Sequence, residues 1–230
     1  MKKFILFTAL ICFSVSICFA QQGKTPVKTI APKPIQTQTV TEFSEAEWKV
    51  LTGALRVEDW KTSALLASRY LEKLKIDNEK KQLAQLRYFY LYALAGKILD
   101  ASASVKAPIE TDSIWKELDT AVNNFIGKEF VLPPRRFLPV CKNVLNYICG
   151  VQDNERALRV TATNKGGTMI HSFDYVLFDA KVPLGELTGK EVFLGGRLKR
   201  VEFNQNMSKL WVMRLIFEKG FARAVAASDK

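Results

Sequence analysis

Histidine and cysteine are scarce in this chain, and their scarcity excludes several kinds of site. Of 230 residues, one is a histidine, His171, and only two cysteines, Cys141 and Cys149, follow the first twenty residues. Zinc sites use several His or Cys ligands at characteristic spacings, and these three residues have none of them. Ser172, next to His171, lies in no G-x-S-x-G nucleophile motif. The sequence therefore predicts no metal site, no cofactor and no catalytic residues, in a protein that is not an enzyme.

A hydrolase that combines His171 with a carboxylate is the enzymatic alternative. Asp174 and Asp179 are the nearest carboxylates, but five positions apart they fall on opposite faces of a continuing strand. A single histidine at strand positions that otherwise carry apolar side chains is more typical of a half-buried structural residue than of a general base. The hydrolase is the least favoured hypothesis.

No apolar run after the first twenty residues is long enough to cross a membrane. Residues 1–20, MKKFILFTALICFSVSICFA, combine two early lysines with an apolar run and end on Ala20. This is the pattern of a secretory signal peptide. We therefore expect an exported protein, periplasmic or secreted. A lipoprotein acylated at Cys18 is a second alternative, disfavoured because Ile17 stands where lipoprotein boxes usually carry a small residue.

The two later cysteines, in a chain bound for an oxidising compartment, allow two interpretations. A disulfide between Cys141 and Cys149 requires the intervening residues to turn back, because the Cα atoms of a disulfide lie within about 7 Å. The alternative is two buried small apolar side chains, which the neighbouring Val140, Val144 and Ile148 favour.

Acidic residues are absent from the first 41 positions. Residues 21–42 are rich in proline, threonine and lysine and show neither a helical nor a strand period, which predicts a disordered tether. Residues 133–230, in contrast, carry 16 basic and 9 acidic side chains, a net charge of +7. This excess favours an acidic surface or a polyanion as a partner, although solubility would also explain it.

A helical domain is predicted for residues 43–130, and its start is marked clearly. Ser44 and Glu47 have the spacing of a capping box, and Phe43 and Trp48 have that of a hydrophobic staple. Together these signals predict that the first helix begins directly after Ser44.

Four helices are predicted from apolar residues spaced three or four apart. We expect the third to end at Gly96 and the fourth to run from near Asp112 to Gly127. The second and third, from Trp60 to Leu94, loosely resemble a tetratricopeptide-type pair, because aromatic and small residues alternate on their inner faces. The signature spacings do not fall into register and no second copy follows at 34 residues, so the prediction is an array of α-hairpins.

An antiparallel β-domain is predicted for residues 131–230. The prolines of FVLPPRRFLP, residues 130–139, forbid a continuous helix, and beyond them apolar residues alternate with a period of two. Five or six antiparallel strands at this spacing predict a small barrel or sandwich, with an oligonucleotide/oligosaccharide-binding-type (OB-like) barrel as the specific candidate. The expected fold class is thus α+β in two parts.

The stretch EVFLGGRLKRVEF, residues 191–203, changes parity partway along. Its apolar side chains occupy one parity up to Leu198 and the other from Val201 onward, which predicts a β-bulge at Lys199–Arg200. The candidate basic patch at this bend consists of Lys190, Arg197, Lys199 and Arg200.

An aromatic face is the second candidate binding surface. His171, Phe173 and Tyr175 share one strand parity, and such a face could stack bases or sugars beside the basic patch. The same parity is also what a buried core face looks like, and the core interpretation is favoured.

The leading functional hypothesis is an exported, non-enzymatic interaction protein of the cell envelope. It would bind a protein partner through a helical groove, through the basic β-domain, or through both. The alternative is a polyanion or oligosaccharide binder that uses the β-domain face. Nucleic acid is disfavoured as a ligand because the chain is expected to be exported.

Overall fold

The first half of the folded chain consists of four helices. The computed structural model describes residues 44–74, 81–103, 108–141, 146–167, 169–205 and 211–226. The predicted signal peptide, the tether and Phe43 lie outside the described residues. The helices are α1 (Glu45–Val57), α2 (Trp60–Lys73), α3 (Lys81–Ala103) and α4 (Pro108–Phe125).

The predicted start of α1 is confirmed. The Ser44 hydroxyl accepts a hydrogen bond from the Glu47 amide at 3.2 Å, and the Glu47 carboxylate accepts one from the Ser44 amide at 2.9 Å. This reciprocal pair satisfies two of the amide groups that a helix start leaves without partners. At the other end of the helical region, Gly127 follows α4 with φ +76°, as the C-terminal glycine signal predicted.

The expectation that Gly96 ends the third helix is wrong, because α3 continues to Ala103. Gly96 instead lies where α3 packs directly against Trp60 of α2. A Cβ at this position would collide with the indole ring of Trp60. The glycine therefore serves close packing between the two helices rather than helix termination.

Gly96→Ala should lower the free energy of unfolding by about 1–2 kcal/mol, because overpacking against Trp60 outweighs the gain in helix propensity. Gly53 is the matched control, since it is exposed within α1 and an added Cβ there would meet no neighbouring atom within 4 Å. Gly53→Ala should raise the free energy of unfolding by about 0.5–1 kcal/mol. Urea denaturation of both variants checks the pair, and equal stabilisation by both would contradict the packing role of Gly96.

In the described residues of the second half, seven strands form one mixed sheet. They are β1 (Glu129–Val131), β2 (Arg135–Leu138), β3 (Ile148–Val151), β4 (Asn154–Thr163), β5 (Met169–Leu177), β6 (Glu191–Phe203) and β7 (Met213–Ala224), with the short helix α5 (Leu184–Leu187) before β6. The order is β1-β6-β2-β3-β4-β5-β7, and β6 also pairs with β7.

The prediction that all strands are antiparallel is wrong for two pairs. β2 and β3 run parallel, and so do β5 and β7. β6 lies between β5 and β7 in the sequence and pairs antiparallel with β7, on the edge of β7 that β5 does not occupy. The chain therefore reverses direction twice between β5 and β7, and these two strands run parallel. The fold is therefore α+β, with helices followed by a mixed sheet.

The predicted β-bulge in β6 is confirmed. Leu198 pairs with Phe217 and Arg200 with Ile216, so Lys199 is the extra residue. The glycines just before it permit close approach, since a Cβ on Gly195 would collide with the Phe130 carbonyl oxygen of β1. A second irregularity lies on β7 at Lys219, which has φ 50°, and the strand continues through it.

Helix α3 packs against both the sheet and the neighbouring helices. Tyr88 and Tyr92 on one of its faces contact His171 of β5, whereas Tyr90 on another contacts Phe125 of α4. Buried residues of the helices and of the sheet belong to one continuous hydrophobic core. In the described residues, no helix is both long and apolar enough to span a bilayer.

Candidate functional site

A groove of about 740 Å³ is bounded by α2, α3 and α4. Its floor is apolar and contains Leu71, Leu83 and Ala121, each less than a tenth exposed. Its walls are polar and include Ser68 of α2 and Asn124 of α4. A volume of this order is typical of protein ligand sites, which fall between roughly 300 and 1,000 Å³.

A hydrogen-bonded network fixes the side chains at the centre of the groove. The Tyr90 hydroxyl donates to Glu117 Oε1 at 3.1 Å, and the Lys97 ammonium group donates to Glu117 Oε2 at 2.9 Å. The Tyr90 ring also meets the Phe125 ring edge-on, with centroids 6.3 Å apart. Glu117 is thereby held by two partners from α3, which positions α4 against α3.

The other charged groups of the groove are mostly cations. Arg87 of α3 donates from Nη1 to the Glu129 carbonyl oxygen at 2.8 Å, which places its guanidinium beside the segment that follows α4. Lys128, the residue before Glu129, and Lys116 of α4 also line the groove. Burial lowers the pKa of Arg87 from its usual value, and Glu129 opposes that shift, so the guanidinium stays charged at neutral pH. Glu72 on α2 is the other lining acid besides Glu117.

Three tyrosines, Tyr88, Tyr90 and Tyr92, should lose their phenolic protons only at unusually high pH. Burial, together with the neighbouring Glu117, raises the pKa of Tyr90 to about 12, burial raises that of Tyr92 to about 12, and burial raises that of Tyr88 well above its usual value. The folded state therefore keeps protons that the unfolded state has lost above about pH 10.

The stabilisation from these protonated phenols is complete below about pH 10 and should be lost as pH rises toward 12. Part of the phenolate absorbance should therefore appear only as pH rises toward 12, and this part should be smaller in a Tyr90→Phe variant. A single transition near pH 10 in the folded protein would contradict the burial of these three side chains.

The candidate basic patch is exposed, and three of its four members lie beside carboxylates. Arg197 lies 3.5 Å from Glu129, Lys199 lies 3.5 Å from Glu218, and Arg200 lies 2.9 Å from Glu202. Lys190, in the loop before β6, is also exposed. The local positive charge available to an anionic ligand is therefore smaller than the basic residues alone indicate.

The candidate aromatic face is divided by the structure. Phe173 and Tyr175 are half-buried on the outer side of β5, and arginines cover them: Arg159 lies 4.6 Å from the Phe173 ring centroid and Arg214 lies 5.6 Å from that of Tyr175. Because cation–π contacts already occupy these rings, the face offers less area for stacking bases or sugars than the sequence suggested.

The assignment of His171 to the same face as Phe173 and Tyr175 is wrong. A register shift in β5 between His171 and Tyr175 turns the imidazole inward, where it is 0% exposed. A slip of one residue in a strand moves a side chain to the opposite face, which is why simple alternation failed here.

His171 and Asp174 form a buried pair beneath α3. His171 Nδ1 donates to Asp174 Oδ2 at 2.7 Å, and Asp174 Oδ1 accepts from the Leu215 amide of β7 at 2.8 Å. Both side chains are 0% exposed, and Nε2 has no hydrogen-bond partner within the described part of the chain. A hydrolase needs a substrate and a nucleophile at Nε2, and the rings of Tyr88 and Tyr92 pack against the imidazole instead. This geometry suits a structural link between β5, β7 and α3.

Cys141 and Cys149 are joined by a disulfide with a Cα–Cα distance of 5.7 Å. Leu138, at the end of β2, is paired with Cys149 of β3, so the bond closes the connection between these parallel strands. The Cys141 carbonyl oxygen also accepts from Arg159 Nη2 at 3.2 Å, which links the bond to the arginine that covers Phe173.

No residues were assigned to the groove from the sequence, although the charge pattern of α3 indicated it. Between residues 82 and 99 only Arg87 and Lys97 are charged, in an otherwise apolar and aromatic helix. A charge in such a helix is expected to face a polar cavity or a partner. In the described ranges, no group of three or more His, Cys, Asp or Glu residues is placed to hold a metal ion.

No family model, no curated protein and no solved structure matches this chain. The geometry of the groove is therefore the main guide to function.

Proposed function

We propose that this protein is an exported, non-enzymatic interaction protein of the cell envelope that binds a protein partner through the groove between α2, α3 and α4. The observation that carries the proposal is the groove itself, with its apolar floor and its polar, net cationic walls. A buried apolar centre with a polar rim is the general anatomy of protein interfaces. Helical hairpins commonly present such grooves to peptide segments.

The competing functions have weaker support. A polyanion binder would use the basic patch, where Arg197, Lys199 and Arg200 each lie beside a carboxylate. A His171-dependent hydrolase would need the imidazole to reach a substrate from a fully buried position. The groove, in contrast, is open and lined by charged groups, and this favours it as the binding site.

The proposal also assigns a specific architecture to each of the two parts of the fold. The succession α1–α2–α3–α4, in which each helix packs against the next, is consistent with a tetratricopeptide-like hairpin array. β7 is the last strand in the sheet order and β6 is the second, and these two strands also pair with each other. This closure of the sheet is consistent with a small OB-like barrel. Cleavage of residues 1–20 and a tether at residues 21–42 would then place both parts outside the cytoplasm.

Two adjacent asparagines of α4 provide a matched test. Asn124 lines the groove, whereas Asn123 does not line it and donates to Asp119 on its own helix. Both are exposed, so a tryptophan at either position should leave folding intact. In affinity purification from envelope extracts, Asn124→Trp should lose the partner and Asn123→Trp should keep it. Equal recovery by the two variants would count against the groove.

A further inference from the structure

We infer that the groove binds an extended, acidic segment of the partner, with a carboxylate at Arg87 and Lys128 and a neighbouring apolar side chain on the floor. This inference rests on the proposed function and names the chemistry of the partner. Three features of the groove carry it, namely its length, its charge and its floor.

The groove is longest along α4. Its α3 wall, from Leu83 to Tyr90, spans roughly 10 Å at a rise of about 1.5 Å per residue, whereas its α4 wall, from Ser113 to Phe125, spans roughly 18 Å. An extended peptide advances about 3.3 Å per residue, so roughly five residues fit along this wall. A compact small molecule would contact only part of it. The length therefore favours a stretch of polypeptide.

The charge of the walls selects an acidic segment. Glu117 is already bound by Lys97 and Tyr90, so its charge is offset within the protein. Among the described lining residues, three cations, Arg87, Lys116 and Lys128, then stand against one further acid, Glu72, and the Glu129 carboxylate outside the lining also acts on Arg87. A basic ligand would meet repulsion from this excess, whereas a carboxylate would be attracted.

Arg87 and Lys128 mark one end of the groove as the carboxylate position. The hydrogen bond from Arg87 Nη1 to the Glu129 carbonyl oxygen fixes the guanidinium next to the backbone of Lys128. One guanidinium nitrogen is used there, which leaves further N–H groups for a second acceptor. Because α2, α3 and α4 alternate in direction, Leu83 and Leu71 lie at this end as well, and they offer an apolar surface beside the charge.

The test uses a display library of random twelve-residue peptides selected on the full chain. The expected result is enrichment of peptides in which Asp or Glu stands beside an apolar residue. Their affinity should fall about tenfold in Lys128→Glu, because the reversal removes an exposed attraction and adds a repulsion, each a few-fold in size. Lys61→Glu, a charge reversal at an exposed residue of α2 outside the groove, should leave the affinity within twofold.

Four results would overturn the inference. Three are enrichment of peptides without acids, equal affinity for the wild type and Lys128→Glu, and failure to select any peptide. The fourth is binding of free glutamate with the same affinity as the peptides, since it would indicate a small-molecule site. A partner lost only by Asn124→Trp, in the absence of acid-selecting peptides, would leave the proposed function standing and remove only the acidic class.

Discussion

Asp174→Ala should lower the free energy of unfolding by about 2–4 kcal/mol, because it leaves two buried donors without their acceptor, at about 1–3 kcal/mol each. The carboxylate accepts from His171 Nδ1 at 2.7 Å and from the Leu215 amide at 2.8 Å. Its removal takes this acceptor from two donors that lie in the buried core. The loss is a large part of the roughly 5–15 kcal/mol that stabilises a typical domain.

Asp179 is the matched control for this prediction, since it is an exposed aspartate just after the same strand. Asp179→Ala should change the free energy of unfolding by no more than about 0.5 kcal/mol. Asp174→Asn, which keeps an acceptor for the Leu215 amide, should fall between the two. Urea denaturation of the three variants measures the series. A loss of less than about 1 kcal/mol for Asp174→Ala would show that the pair with His171 is not a structural link.

Removal of the disulfide has the second largest expected effect. The double variant Cys141→Ala/Cys149→Ala should lose about 2–3 kcal/mol of unfolding free energy, the amount that loop-closure entropy gives for a separation of 8 residues. The Cα atoms are already 5.7 Å apart, within the normal range for disulfides. The bond therefore acts mainly by restricting the unfolded chain.

The reductant dependence provides the control for the disulfide. Dithiothreitol should lower the urea midpoint of the wild-type protein toward that of the double variant, and it should leave the double variant unchanged. A wild-type protein whose midpoint does not respond to full reduction, verified by thiol counting, would contradict a stabilising role for this bond.

Features that depend on a few neighbouring residues could be predicted from the sequence. The capping box at Ser44 and the bulge at Lys199 follow from local hydrogen bonding and from side-chain parity. Gly96 could not be interpreted in the same way. A glycine near the end of an apolar stretch usually ends a helix, and only the position of Trp60 on the neighbouring helix reveals why a side chain is excluded.

Features that depend on residues far apart in the sequence could not be predicted from the sequence pattern. The parallel pairing of β5 with β7 depends on where β6 lies, and the burial of His171 depends on an irregularity in β5 that no parity change announces. The groove arises because α2 and α4 both pack on α3 and leave a gap between them, so its walls come from three separate segments. Arg87 was the one local sign of it.

Site-specific photo-crosslinking tests the central claim most directly, because it reports whether a side chain of the groove touches the proposed partner in intact cells. A photoreactive amino acid at Asn124, inside the groove, is compared with the same amino acid at Asn123, one position outside it. A partner crosslinked from Asn124 and not from Asn123, through a peptide that contains Asp or Glu, is the expected result. Crosslinking of equal yield from both positions, or none from Asn124 while the partner still co-purifies, would contradict binding in the groove.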